Sequence, residues 1–340
     1  MRAIKLFVLW MCRSLGLFRL AGWLTRRHLK ILCYHGFELA DETRFRPKLF
    51  MSGARFEQRL RMLGASGMRV LRLDDAVKRM YAGTLPDHAV VVTVDDGFHS
   101  VASIAAPRLK AHGFPATVYV TTYYVDNPNP IYRLVVQYMF WKTRRNVVEL
   151  PILPMPEAAK VDLTESSEAE RAMWSWIRYG EERSEAERVE LCRRLGELLD
   201  VGYDDIVKSR AMQLMSPAEI TSLAQAGLDV QLHTHRHRFP NDDRQQAERE
   251  IDDNRRSLGR WLAGERLHFC YPSGLFDSRQ FEWLDAVGIE SSTTCLPGLN
   301  SAATPRHALR RFLDGENIHQ LEFEAALSGF TDLLRRRAAA

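Results

Sequence analysis

Short apolar runs alternate with amphipathic helical segments along most of this chain, and this alternation is the feature that most limits its possible folds. The clearest runs are residues 30–34, 90–94, 115–122, 228–233 and 267–272. Residues 90–94 are all β-branched, as expected for a strand that is buried on both faces. Because strands that alternate with helices usually pair in parallel, about eight such units predict a parallel α/β barrel.

The alternation stops between about residues 127 and 215, where the sequence becomes charged and its apolar positions recur at helical spacing. This stretch predicts a helical insertion in the barrel and not a linker, because it contains few Gly and Pro residues after Pro156. Its Trp141, Trp174 and Trp176 would cover a groove, offer a stacking surface to sugars, or pack against the barrel.

The first 29 residues are apolar and basic, and they predict an amphipathic helix. Six cations fall on one helical face, within an arc of roughly 140°: Arg2, Lys5, Arg13, Arg19, Arg26 and Arg27. Arg13 and Arg19 interrupt the apolar core that a signal peptide needs, and no uninterrupted run is long enough for a membrane span. The helix would lie in a membrane interface or dock on the outside of the barrel, and we favour membrane contact.

Charge and cysteine usage narrow the class of protein. The net charge of +4 is mild and the charges are interleaved, which argues against nucleic-acid binding. The five cysteines are scattered without a CxxC pair, which favours a reducing compartment. We therefore predict a cytoplasmic protein, peripheral on the inner membrane face if its N-terminal helix binds lipid. No particular oligomeric state is indicated.

In parallel barrels the chemistry gathers at the C-terminal ends of the strands. That rule selects five residues: His35, Asp95, Asp96, His233 and Tyr271. Two adjacent acids at the mouth of a buried strand are costly unless a cation or a proton compensates them. The alternative is that the acids form an ordinary turn or helix cap.

A run of alternating histidines, His233, His235 and His237, follows another strand. A loop after the strand would bring His233 and His237 to one point. Alternatively, all three histidines would lie in a solvent-exposed loop without a site. One carboxylate with two imidazoles is a common ligand set for a catalytic divalent metal. A third stretch, FCYPSG at 269–274, ends a strand in a turn whose N–H groups beyond Tyr271 would stabilise an oxyanion.

Taken together, TVDDG at 93–97, HTHRH at 233–237 and FCYPSG at 269–274 resemble the three main motifs of the polysaccharide deacetylase family. These are the NodB-homology enzymes of carbohydrate esterase family 4, and the third motif is the Tyr-Pro-x-Gly variant. The resemblance implies a deformed (β/α)7-8 barrel over residues 30–330, interrupted by the insertion and followed by a basic tail at 331–340. It also implies metal-dependent removal of N-acetyl groups from an amino sugar of a polysaccharide or lipid-linked glycan.

The same resemblance implies a metal site. Asp96, His233 and His237 match the family's ligands, so they are expected to hold a divalent metal, with Zn²⁺ as the expected ion. His235 falls between the ligand positions and is not expected to bind the metal.

Four further residues receive catalytic roles from the resemblance. Asp95 matches the general base, and His35 matches a histidine that acts as general acid in some branches. Arg311 resembles an arginine that orients the base, although the adjacent Arg310 leaves the register open. Amides near Tyr271 would hold the oxyanion.

Two other functions are compatible with the same motifs. The site would hydrolyse a different amide, such as a formyl group or a small-molecule amide. Alternatively, the chain would be a non-catalytic glycan- or lipid-binding relative. The presence of all three metal positions and of the candidate base favours an enzyme.

Overall fold

The computed structural model describes residues 2–155 and 157–338. In these residues the strands are β1 (Lys30–Tyr34), β2 (Gly36–Phe37), β3 (Phe50–Met51), β4 (Arg69–Val70), β5 (Ala89–Val94), β6 (Thr117–Val120), β7 (Val147–Pro151), β8 (Ala158–Asp162), β9 (Asp229–Leu232), β10 (His268–Cys270), β11 (Ser291–Thr293) and β12 (Phe312–Leu313).

The α-helices of the same residues surround these strands. They are α1 (Arg2–Ser14), α2 (Leu17–Leu24), α3 (Glu42–Phe45), α4 (Gly53–Ala65), α5 (Leu73–Tyr81), α6 (Ala106–Ala111), α7 (Tyr123–Asp126), α8 (Tyr132–Lys142), α9 (Ser166–Glu181), α10 (Glu185–Leu199), α11 (Tyr203–Ser209), α12 (Pro217–Gln225), α13 (Arg244–Gly259), α14 (Gln280–Ala286), α15 (Gln320–Leu327) and α16 (Phe330–Ala338). A π-helical segment, Val101–Ala105, leads into α6, and a 3-10 turn, Pro272–Gly274, follows β10.

The central sheet has eight parallel strands, seven of them in the order β11-β10-β9-β6-β5-β1-β12. A parallel bridge between Thr293 and Leu309 joins β11 to the segment before β12, which completes the ring. The eighth strand, β4, pairs with the first two residues of β5. On the same edge of β5, β6 pairs with the last two residues. This shared edge deforms the barrel, and the predicted α/β class with a deformed (β/α)7-8 barrel is confirmed.

The strand cores explain why the barrel forms. Every residue of β1, β5 and β6 is buried, so these strands lie between the barrel interior and the covering helices. The helices bury one apolar stripe each; in α4 this stripe is Phe56, Leu60 and Leu63. The strands therefore form a rigid frame that ends at the barrel mouth.

The insertion between about 127 and 215 is largely helical, as predicted, but it also contains an antiparallel hairpin of β7 and β8. Sequence reasoning missed this hairpin because its alternation is short: in β7 it is limited to exposed Val147 and Glu149 between buried Val148 and Leu150. Trp176 is buried beneath it and its Nε1 donates to Pro151 O at 3.0 Å. That tryptophan packs on protein and is not available to a sugar.

The N-terminal segment forms two helices and not the single helix that the sequence predicts over residues 1–29. The break falls at Gly16, whose φ of 75° places it in the left-handed region. At the other end, the predicted basic tail continues α16 as far as Ala338. Met1 and residues 339–340, which belong to these two predicted segments, lie outside the described residues.

Candidate active site

The carboxyl ends of β1, β5 and β9 bring four polar side chains to the barrel mouth. His35 follows β1, Asp95 and Asp96 follow β5, and His233 follows β9. β5 pairs with β1 directly and with β9 through β6, so register alone sets these ends side by side. The fifth residue that the strand-end rule selects, Tyr271, is placed differently and is described below.

Asp96 lies between two imidazoles. Its Oδ1 is 3.2 Å from His233 Nε2 and 3.4 Å from His237 Nε2. One atom from each of the three side chains lies within 4.8 Å of the other two, a spacing that fits a single cation. Burial alone would raise the pKa of Asp96, but the two imidazoles outweigh this effect and lower the pKa well below its usual value. The carboxylate is therefore ionised and able to act as a ligand.

Hydrogen bonds at the Nδ1 and at the backbone N–H of His233 fix its orientation. Its Nδ1 lies 2.7 Å from Cys270 O, and since a carbonyl only accepts, Nδ1 carries a proton while Nε2 faces Asp96 Oδ1. Its backbone N–H donates to Asn254 Oδ1 at 2.9 Å, and Asn254 Nδ2 donates in turn to Val120 O. The donor set and its support fit a divalent metal held by Asp96, His233 and His237.

Strained backbone accompanies this cluster. Asp96, Thr234, His237 and Ser273 all have positive φ, between 55° and 69°. Non-glycine residues persist in this region only where the surrounding structure holds them, and such residues concentrate at functional sites. Gly97 also has a positive φ, of 86°, and a Cβ added there would lie 3.1 Å from Val120. Both the backbone conformation and the packing therefore disfavour a larger residue at this position.

Asp95 has a different environment from its neighbour. Its two oxygens accept hydrogen bonds of 2.7 Å from Nη1 and Nη2 of Arg311, and both side chains are buried. Burial alone would raise the pKa of Asp95, but the charge and hydrogen bonds of Arg311 hold it well below the ordinary value. Arg310 is exposed and does not reach this carboxylate, so the structure resolves the register in favour of Arg311.

Two thiols that sequence reasoning missed also contact Asp95. Cys33 Sγ and Cys270 Sγ lie 3.5 Å and 3.4 Å from its Oδ2. Burial raises the pKa of Cys33 well above the usual value, so it is a neutral thiol that can donate to the carboxylate. The available signal was strand alternation, since Cys33 and His35 are two residues apart and share a face.

His35 lies at the edge of this arrangement. Its Nε2 is 3.8 Å from Asp95 Oδ2, and the side chain is 17% exposed. In the part of the chain that the structure describes, its Nδ1 has no hydrogen-bond partner. The imidazole therefore sits next to the two acids with one nitrogen uncommitted.

Tyr271 itself offers no donor to the site, so the prediction of an oxyanion donor in this turn passes to the amides beyond it. Its amide donates to Thr293 O at 3.2 Å and its hydroxyl to His307 O at 3.0 Å, and the side chain is completely buried. Pro272 has no N–H. The first available amide beyond Tyr271 belongs to Ser273, which is exposed and whose N–H has no acceptor among residues 2–155 and 157–338.

A cavity of about 440 Å³ opens beside His237 and Ser273. Tyr123, Tyr124 and Arg238 line its other walls. His235 stays out of the metal cluster, as expected, because its Nδ1 lies 2.9 Å from Thr122 Oγ1. His237 belongs both to the wall of this cavity and to the cluster around Asp96, so the cavity borders that cluster.

Comparisons with known proteins concern the fold and the motifs. The model of the family described as polysaccharide deacetylase matches residues 174–291, which include the histidine and FCYPSG motifs. No curated protein matches the chain in sequence.

Solved structures resemble the fold at low sequence identity. A Streptococcus pyogenes deacetylase, PplD, in complex with acetate has a TM-score of 0.59 at 16% identity, covering 88% of this chain and 98% of its own. The de-N-acetylase from Aggregatibacter actinomycetemcomitans has a TM-score of 0.56 at 14% identity, covering 88% and 99%. IcaB from Ammonifex degensii has a TM-score of 0.54 at 18% identity, covering 88% and 97%.

These results confirm the family resemblance that the motifs predict. The fold is that of the deacetylase barrels, and residues 174–291 match the polysaccharide deacetylase model. The predicted enzyme class, carbohydrate N-deacetylase, is supported by the same two findings.

Proposed function

We propose that this protein is a metal-dependent hydrolase that removes N-acetyl groups from an amino sugar of a polysaccharide or lipid-linked glycan. One observation carries the proposal: two adjacent acids lie in opposite environments, Asp96 against two imidazoles and Asp95 against a buried guanidinium. Paired titratable groups with such different environments are typical of divided acid–base roles. The names of two structural neighbours, a deacetylase with bound acetate and a de-N-acetylase, support the same reaction.

Asp96, His233 and His237 would hold the metal, for which Zn²⁺ is the expected ion. When bound, such an ion polarises a carbonyl and makes water a better nucleophile near neutral pH. Asp95 remains available for proton transfer because Arg311 binds both of its oxygens without removing its negative charge.

The remaining groups complete the hydrolysis. Water adds to the acetamide carbonyl carbon and loses a proton to Asp95. The N–H of Ser273 would donate to the carbonyl oxygen as negative charge develops there. His35 would protonate the leaving nitrogen as the C–N bond breaks, which gives acetate and a free amine.

The test is acetate release by the full chain after the metal is removed and then restored. N-acetylated glycans and lipid-linked amino sugars are offered with Zn²⁺, and acetate and new primary amine are measured together. Equal amounts of both are expected, and only with metal. No acetate from any amino-sugar substrate at full metal content would contradict the proposal.

The same assay separates the other candidate functions. Formate in place of acetate would assign the site to a formyl amide. Binding of a glycan without either product would identify a non-catalytic relative.

A further inference from the structure

The outer face of α1 carries a stripe of exposed apolar side chains. Ile4, Phe7, Val8 and Met11 recur at helical spacing, and their exposed fractions are 69%, 58%, 49% and 43%. Trp10 is also more than half exposed and its ring stacks against that of Phe7. Apolar residues in such a row normally face a protein core.

The second helix repeats this arrangement. Leu20, Trp23 and Leu24 are each more than half exposed, while Phe18 and Ala21 are buried. Phe18 packs on Phe330 of α16 with ring centroids 5.1 Å apart. The N-terminal helix pair, α1 with α2, is therefore fixed to the barrel and presents its apolar side chains outward.

Cations of α1 reach acids and a carbonyl of the C-terminal region, although the side chains of Lys5 and Arg13 stay 62% and 54% exposed. Lys5 Nζ lies 2.5 Å from Glu322, Arg13 Nε lies 2.8 Å from Glu324, and Arg2 donates to Asn317 O. The contact of α1 with the rest of the protein is apolar and narrow, since Leu9 packs with Phe18 and Ala325. Most of the apolar side chains of α1 therefore stay in solvent, which folding in water disfavours. Exposed apolar surface of this kind marks an interaction site.

Charge identifies the partner. Residues 2–27 contain six cations and no acid. Among the described residues Arg19 forms no ion pair, and the side chain of Arg27 is 80% exposed. A second copy of this chain would set two such basic rims against each other, whereas an anionic lipid surface complements them.

A cavity of about 610 Å³ beside the helix pair has the same mixed character. Trp23, Met62 and Met68 contribute apolar walls. Arg13 is paired with Glu324 in the same wall, so Arg19 contributes the uncompensated positive charge. Apolar walls next to guanidinium groups suit a phospholipid, which joins acyl chains to a phosphate.

We propose that the N-terminal helix pair lies flat in the interface of a bilayer that contains anionic lipid. No helix in the described ranges is long and apolar enough to cross a membrane, so the contact is with one face. Trp10 and Trp23 would sit at the level of the head groups, where indole rings concentrate. This contact is independent of the deacetylase reaction, and the predicted cytoplasmic location stays a separate prediction.

Vesicle flotation with the full chain tests the contact without reference to activity. Vesicles of phosphatidylcholine alone are compared with vesicles of phosphatidylcholine and phosphatidylglycerol. We expect at least about tenfold tighter binding to the anionic vesicles, and a decrease as salt is raised. Absence of binding to either vesicle would overturn the proposal.

Matched substitutions locate the contact. The double variant Phe7→Gln with Met11→Gln should weaken binding to anionic vesicles at least about tenfold, because each side chain loses its apolar transfer energy. The control pair is Val147→Gln with Met155→Gln, which changes exposed apolar residues of the β7–β8 hairpin region and should bind as the wild type. Arg19→Gln should weaken only the binding that depends on phosphatidylglycerol.

Two outcomes of this comparison would overturn the proposal. Unchanged vesicle binding by the Phe7 and Met11 double variant would exclude the helix pair. A concentration-dependent dimer in sedimentation, dissociated by the same double variant, would assign the face to a second copy. Circular dichroism checks that each variant is folded.

Discussion

The barrel mouth and the N-terminal helix pair depart from the usual rule of burial in opposite directions. At the mouth, the charged Asp95 and Arg311 lie inside the protein. On the helix pair, apolar side chains such as Ile4 and Leu15 are about 70% exposed (69% and 71%). Each arrangement costs free energy in water unless a partner compensates it.

The two regions differ in where that partner lies. Arg311, from the same chain, supplies the compensating charge for Asp95, and Asp96 lies against two histidines at a spacing that fits one cation. The helix pair receives nothing from the barrel for its outer face. The fold itself therefore compensates the charged groups at the barrel mouth, whereas the apolar face of the helix pair depends on a surface outside the chain.

The largest effect on activity is expected when one of the two acids at the barrel mouth is neutralised. Asp95→Asn should lower the rate of acetate release by about 10²–10⁴-fold, because proton transfer is lost while the metal ligands remain. Asp96→Asn should lose bound metal as well as activity. The measurements are turnover and metal content of the purified variants.

Loss of metal from Asp95→Asn would contradict the division of roles. The two variants control for each other, since each replaces one carboxylate by an amide of nearly the same size at adjacent positions.

The buried pair itself is tested by Arg311→Met. The variant leaves a buried carboxylate without its partner and should lower the free energy of unfolding by about 3–5 kcal/mol in urea titrations. Adding Asp95→Asn to Arg311→Met should recover part of that loss, because the uncompensated charge is gone. A double variant no more stable than the single one would show that packing and not charge is lost.

Arg311→Met should also change how activity depends on pH. In the wild type the depressed pKa of Asp95 means that its ionised form adds stability above about pH 3.9, which is lost as the pH falls further. Without Arg311, burial raises this pKa, so the acid limb of the activity profile should move to higher pH. Arg59→Met, which breaks the separate buried pair of Arg59 and Asp314, should destabilise the protein without this shift.

The turn after β10 offers a smaller change at the mouth. In Gly274→Ala the new Cβ would lie 2.7 Å from Cys295 N, so the turn must move together with the Ser273 N–H. We expect about 10²-fold slower acetate release, the usual effect of losing one oxyanion donor. The control is Gly288→Ala, where φ is also positive (74°) and nothing lies within 4 Å of the added Cβ. Equal effects of the two variants would remove Ser273 from the mechanism.

The smallest effects on the free energy of unfolding are expected for substitutions on the outer face of the helix pair. Val8→Ala changes a half-exposed residue and should alter the free energy of unfolding by no more than about 0.5 kcal/mol. Leu9→Ala, its buried neighbour, should cost about 2 kcal/mol because Leu9 packs with Phe18 and Ala325. Thermal or urea unfolding distinguishes the two. A large loss with Val8→Ala would mean that the outer face is covered within the protein.

The sequence by itself determined the barrel, the position of the insertion and the residues at the strand ends. These properties are local: β-branched runs, helical spacing and turn residues specify strands and helices within a few residues. Parallel pairing then places every strand end at one mouth. Asp95, Asp96 and His233 were predictable for that reason.

Only the tertiary structure decided how the site is completed. Contacts that join residues far apart in the chain, such as Asp95 with Arg311 and His233 with Asp96, depend on register and side-chain direction across several strands. Register brought Arg311 and not Arg310 to Asp95, packing buried the side chain of Tyr271, and the turn after β10 placed Ser273 on the cavity wall. The helix pair likewise shows periodicity in sequence, but which of its faces meets the barrel depends on Ala325, about 300 residues away, against which Leu9 and Phe18 pack.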